Sequence, residues 1–147
     1  MRKLKCFLQT NTQSCSASTA ILLIRFVMGV AFLYHGWGKI QTPMSWMPPD
    51  SPVPGFFQLL AAVSEFGGGI ALILGLLTRL ASLGLAFTMA VATYMHAVIM
   101  GDPFVAMGPG SAFELPLLYL ILSINFILVG AGKFSLDAKI FGEHGGC

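Results

Sequence analysis

His35, Lys39, Glu65, His96 and Glu114, together with Arg25, are ionisable side chains set inside otherwise apolar stretches of a 147-residue chain. Glu65 is the most telling of them. It stands alone in the uncharged run from Phe56 to Leu74. An ionised side chain near the centre of a bilayer costs roughly 2.5 to 3.5 kcal/mol on insertion scales, so it normally faces a bundle interior and pairs or protonates there. Two imidazoles, a carboxylate and an ammonium gathered at one depth could receive a quinone headgroup, exchange protons with it, or hold a metal. Lys39 argues against a metal, as does the lack of a His-x-x-x-His or Glu-x-x-His pattern on one helix, and no metal site is assigned.

The elements that must position these groups follow from composition. Only 10% of residues are charged, 56% are hydrophobic and the mean hydropathy is +0.81, far from the composition of a soluble domain. Four apolar stretches, Ala17 to Gly38, Gly55 to Leu77, Leu80 to Met100 and Ala112 to Gly132, each approach the ~20 residues that a helix needs to cross hydrocarbon. The expected fold is all-α: an integral, multi-pass membrane protein with four transmembrane helices in a bundle, whose first partner is the lipid bilayer. Nothing in the chain points to nucleic acid. After the basic opening Arg2, Lys3, Lys5 the sequence is polar where a signal peptide would be apolar, so the first span is expected to be retained.

Residues 1–16 read as a polar arm with no fold of its own, residues 17–140 as the four-span domain, and residues 141–147 as a short tail. The segment from Phe134 to Gly142 alternates apolar and charged residues and suggests an interfacial turn. Arg2, Lys3, Lys5, Arg79, Lys133 and Lys139 fall on one side of the spans, and Lys39, Asp50 and Asp102 on the other, so the positive-inside rule makes both termini cytoplasmic. Cys6, Cys15 and Cys147 would then lie in a reducing compartment, with no spacing for a metal and no disulfide expected. Thr78-Arg79 reads as the tight connection between the second and third spans. The Pro-rich connection from Gln41 to Pro54 cannot be helical and should cover the outer surface, where Trp46 could dip into the headgroup region.

Helical spacing aligns Arg25, Gly29, Phe32, Gly36 and Lys39 on the first span, and Gln58, Ala61, Ala62, Glu65, Gly68, Gly69 and Leu72 on the second. The third span aligns Ser82, Ala86, Met89, Thr93 and His96, and the fourth Glu114, Ile121, Asn125 and Gly132. Depth counted at ~1.5 Å per residue places His35, Lys39, His96 and Glu114 near the outer boundary, Glu65 near the middle, and Arg25 with Asn125 in the inner half. An Arg25–Glu65 ion pair is the expected inner contact, because the guanidinium fork suits a carboxylate. Arg79 is expected to snorkel to the interface and Asn125 to hydrogen-bond another helix.

Arg25 to Ile40 with its His35-Gly36-Trp37-Gly38-Lys39, then Glu65-Phe66-Gly67-Gly68-Gly69, Gly75-Leu76-Leu77-Thr78-Arg79 and Gly130-Ala131-Gly132-Lys133-Phe134-Ser135-Leu136-Asp137, resemble the DoxX family of bacterial membrane proteins over about residues 20 to 140. The resemblance implies a four-helix protein of the bacterial inner (cytoplasmic) membrane. It also implies a link to thiosulfate oxidation coupled to quinone, or to membrane complexes of redox and thiol stress. It brings no catalytic residue set.

The leading expectation is a redox accessory subunit in which His35, Lys39, His96 and Glu114 receive a quinone headgroup while Glu65 passes protons or tunes charge. No flavin or dinucleotide fingerprint, haem-type His pair or redox Cys pair is present, so no cofactor is intrinsic and electrons would come from a partner subunit or substrate. Two other readings stand beside it. One is a non-enzymatic scaffold that uses its Gly- and Ala-rich faces for assembly. The other is a small-molecule carrier with Glu65 as its midplane site.

Overall fold

The computed structural model describes residues 7–144, so Arg2, Lys3, Lys5, Cys6 and Cys147 lie outside the described residues. Four apolar helices run up and down in chain order: α1 (Cys15–Gln41), α2 (Gly55–Leu74), α3 (Thr78–Tyr94, continued by a π-helical turn Met95–Ile99) and α4 (Glu114–Val129). The first three are long and apolar enough to cross a membrane. α4 has 16 residues and spans only about 24 Å. It stops there because Gly130 and Gly132 take positive φ, 86° and 75°, and turn the chain out of the helix before Gly132, where the apolar pattern had suggested an end. A short helix α5 (Leu136–Phe141) follows.

Close backbone packing links α1 to α2, α2 to α3 and α3 to α4. The α1–α2 crossing is built on glycine. A Cβ on Gly36 would stand 2.5 Å from the Phe66 nitrogen, and one on Gly69 would stand 2.8 Å from the Gly29 carbonyl oxygen. Small residues at such contacts let helix backbones approach where lipid supplies no hydrophobic drive. The stripes expected on α1 and α2 do face inward: Arg25, Gly29, Phe32 and Gly36 are buried, as are Gln58, Ala62, Glu65, Gly68, Gly69 and Leu72. Met28, Phe32, Leu72, Leu85, Met89 and Phe126 fill the core between the helices.

On α4 the expected face is corrected. Ser123 and Phe126 are buried, whereas Glu114, Ile121 and Asn125 point out of the bundle. A helix that is apolar nearly all round carries no periodic signal, and packing of Phe126 and Tyr119 against the core decides its rotation.

The end of the bundle at which α1 starts and α4 ends is tightly closed. α2 ends on Gly75, whose φ of 65° and lack of a Cβ are both needed, since a Cβ would lie 2.5 Å from a nitrogen of the Arg25 guanidinium. The turn is therefore Gly75–Leu77, and Thr78 and Arg79 already belong to α3. Leu77 adopts a φ of 48°, a strained conformation for a branched side chain. Asp137 holds it there: its buried carboxylate accepts from the Leu77 nitrogen at 2.7 Å and the Thr78 nitrogen at 2.8 Å, capping α3. Ser135 caps α5 and also donates to the Gly132 carbonyl at 2.6 Å. The segment expected to be an interfacial turn is thus a docked cap.

The arm is corrected as well in its described part. Thr10–Asn11 (β1) pairs in parallel with Glu143–His144 (β2), so the two ends of the described chain meet at one end of the bundle. Thr10 is buried and accepts from the Gly132 nitrogen. Asn11 and Gln13 donate to the Leu128 and Val129 carbonyls, two of the orphan acceptors at the end of α4. Arg79 donates to the Asn11 side chain at 2.9 Å and stacks its guanidinium over Phe7, rather than reaching free into the interface.

Candidate functional site

The expected Arg25–Glu65 pair is not formed. With Gly36 packed on Phe66, Glu65 stands opposite position 37 of α1, while Arg25 lies twelve residues, about 18 Å, further along the axis. Glu65 instead pairs with Lys39, whose Nζ donates to its two carboxylate oxygens at 2.6 and 2.7 Å. The long lysine stem makes up the remaining step along the helix. Arg25, 1% exposed, donates instead to the carbonyls of Ala131 and, at 2.9 Å, Phe134. It secures the turn after α4, and its task is structural.

The Lys39–Glu65 pair forms the floor of an open cavity of about 270 Å³ at the loop end of the bundle. His35 and Phe32 line it from α1, Met89, Ala92 and His96 from α3, and Leu115, Pro116 and Tyr119 from α4, with Ala112 just before it. His35, Lys39, Glu65 and His96 are therefore brought together. Glu114 is not: it is exposed and contributes nothing to the lining.

Three neighbours join the cluster beyond the residues expected to form it. The Trp46 ring lies 4.6 Å from the Lys39 ammonium, a cation–π contact that shields the ion pair from the loop side. Trp46 is fixed there by donating to the Gln58 carbonyl at 3.0 Å. The Gln58 side chain accepts from the Met47 nitrogen and donates to the Val53 carbonyl, so one buried residue of α2 holds the whole Pro-rich loop as a cover. Tyr119 packs tilted on Phe32 at 5.0 Å and edge-on to His35 at 6.4 Å. Asp102 is the third.

His96 sits in the π-helical turn, where Met100 donates back to Met95. Such turns widen a helix locally and are frequent at functional sites. His96 Nδ1 is 2.7 Å from an Asp102 oxygen that also accepts from Ser111 at 2.8 Å. These hydrogen bonds, from His96 first and Ser111 second, hold the Asp102 carboxyl below its usual range. An ionised carboxylate has no proton to give, so the Nδ1–H of His96 is the donor in this contact. His35 and the Tyr119 hydroxyl make no side-chain hydrogen bond among the described residues. The site thus offers two imidazoles and a phenol beside a neutralised ion pair. The sequence held one hint of Asp102: an acid six residues after His96 in a loop too apolar to need one.

The family profile that matches this chain is DoxX, over residues 20–98. A Haemophilus influenzae protein known only as an uncharacterized protein is 37% identical over 123 residues, covering 82% of this chain and 90% of its own length. The Escherichia coli inner membrane protein YqjF is 35% identical over 127 residues, 80% of this chain and 88% of that one. A Bacillus subtilis protein named "Putative oxidoreductase CatD" is 30% identical over 122 residues, 82% of this chain and 86% of that one. No solved structure matches the chain significantly. With its apolar helices and these relatives, the chain is a multi-pass inner-membrane protein in contact with the lipid bilayer, and it belongs to the DoxX family.

Proposed function

We propose that this protein is a redox accessory subunit of the inner membrane whose loop-end cavity receives a quinone headgroup. The observation that carries the proposal is the cluster of His35, His96 and Tyr119 around a cavity floored by the Lys39–Glu65 pair. A quinone ring has two carbonyl oxygens that need donors and an apolar face that stacks on aromatics. His35, Tyr119 and the Lys39 ammonium supply donors, and Phe32 with Tyr119 supplies the aromatic wall. Interconversion of quinone and quinol moves two electrons and two protons. This chain's share is the protons, through His96 Nε2 and His35, with Asp102 holding the His96 ring in place. The electrons pass to or from a redox partner subunit, a reading in keeping with the name of the Bacillus relative.

Both termini face the cytoplasm in this proposal, because Arg79, Lys133 and Lys139 lie at the terminal end while the loop end carries Asp50 and Asp102. The cavity then opens toward the outer face. Use of the glycines for assembly with other proteins is disfavoured: Gly68 abuts Leu85 and Gly69 abuts Gly29, so both are consumed inside the chain. The test is extraction of the purified protein for bound quinone. Wild type should retain it, and His35→Ala and His96→Ala should each lower retention while melting temperature stays near wild type. Equal retention in all three would refute the site.

A further inference from the structure

We infer that the ligand of this site is an amphiphile whose alkyl or isoprenoid chain lies between α1 and α4, so that it reaches the cavity sideways from the membrane. The inference rests on the headgroup reading above and adds where the rest of the molecule goes. α1 and α4 are the first and last helices of the bundle, and the close backbone packing runs α1–α2–α3–α4 without closing the ring. Side chains bridge the gap, Phe32 against Tyr119 foremost. Beneath that bridge lies an open apolar groove of about 400 Å³, formed by Ile24, Val27 and Met28 on α1 and Leu118 and Leu122 on α4. Tyr119 and Leu115 line both this groove and the polar cavity, so the two share a wall.

Size and polarity decide the occupant. Ligand sites commonly measure ~300–1,000 Å³, so the polar cavity of about 270 Å³ suits a single ring and cannot bury a larger molecule. The groove continues the space and its lining is almost wholly apolar, which fits methylenes and excludes a second polar group. It lies along the apolar middle of α1 and α4, where such a chain already resides in the lipid. Tyr119 stands at the junction, with its ring on the apolar side and its hydroxyl available to the headgroup.

The experiment uses the full chain in detergent with two probes, a dimethoxy-methyl-benzoquinone bearing a decyl chain and the same ring without a chain. Wild type should bind the tailed ring about tenfold or more tightly than the bare one. Val27→Trp and Leu118→Trp, which fill the groove, should abolish that preference and leave affinity for the bare ring within about twofold, while His96→Ala should weaken both. In parallel, a tailed probe with a photoreactive group at the chain end should label wild-type peptides containing residues 23–28 or 115–122, a readout that does not depend on the variants folding. Groove variants that keep the full preference, labelling on the outer faces of α2 and α3, or crosslinks between two copies through position 118 would overturn the lateral groove while leaving the headgroup site standing. Failure of wild type to bind either ring would overturn both.

Discussion

Lys39 Nζ lies 2.6 and 2.7 Å from the two oxygens of Glu65, so one ammonium serves both atoms of a carboxylate that is only 2% exposed. Lys39 keeps 26% of its side chain accessible. Removing the lysine therefore harms more than removing the acid. Lys39→Met should cost about 3 kcal/mol, at the low end for stranding a buried charge, and Glu65→Gln less, because the freed ammonium can reach water. The double variant should lose less than the sum. Arg25→Met combined with Glu65→Gln should be additive within about 0.5 kcal/mol, since the two sites share no partner. Thermal melts of the three single variants and the two double variants in detergent read both results, and coupling between Arg25 and Glu65 would contradict the register described above.

Asp137 stabilises the opposite end. Its carboxylate caps α3 through Leu77 and Thr78, and it is the acid nearest in charge to the buried Arg25. Asp137→Ala should cost about 3 kcal/mol by orphaning the Leu77 and Thr78 nitrogens and removing a negative charge near Arg25, and Asp137→Asn less, because the amide oxygen can still accept once. Gly75→Ala should be as severe, from both its φ of 65° and the collision with Arg25. Proteolysis at Leu77, followed by mass spectrometry, checks whether the turn opens as expected.

Asp102 ties the loop after α3 to His96 and Ser111. A carboxyl whose folded value is depressed contributes stability above its unfolded value of ~3.9 and loses it as pH falls through the lower folded value. Hydrogen exchange protection of residues 96–111 should therefore hold from neutral pH down to about pH 4 and fall only below it. Asp102→Asn should remove that dependence. Loss of protection near pH 6 in wild type would mean that protonation of the imidazole controls the loop instead.

The orientation proposed above is tested by reporters active only in the cytoplasm or only outside it. Fusions after residues 48 and 106 should report an outer location and a fusion after residue 144 a cytoplasmic one. Cytoplasmic signals at 48 or 106 would invert the assignment and turn the cavity inward.

Legibility in the sequence followed the strength of the periodic signal. Glu65, Gly68 and Gly69 share a face with Gln58 and Leu72, and that face is buried, because small and polar residues recur at 3.6-residue spacing on an apolar background. The partner of Glu65 was not legible. Depth counted along single helices misses the antiparallel register, which Gly36 on Phe66 sets, and that register brings Lys39 rather than Arg25 within reach of Glu65. Glu114 and Asn125 were misplaced because α4 is apolar on every side, so two polar residues alone suggested a face that Phe126 and Tyr119 overrule. Thr10 and Asn11 looked solvated by composition, yet they satisfy backbone groups at the end of α4. Polar residues near a helix terminus can be caps as readily as solvent-facing chain.

The most direct measurement of the headgroup site is the imidazole spectrum. The chain has three histidines, so selective nitrogen labelling gives few resonances, and His35→Gln and His96→Gln assign the two in the cavity. On addition of the bare benzoquinone ring, the His35 and His96 resonances should both shift and saturate together, with His144 unmoved. Saturable binding of the ring with neither cavity histidine shifting, or no binding at any concentration below its solubility, would contradict a quinone site between His35 and His96.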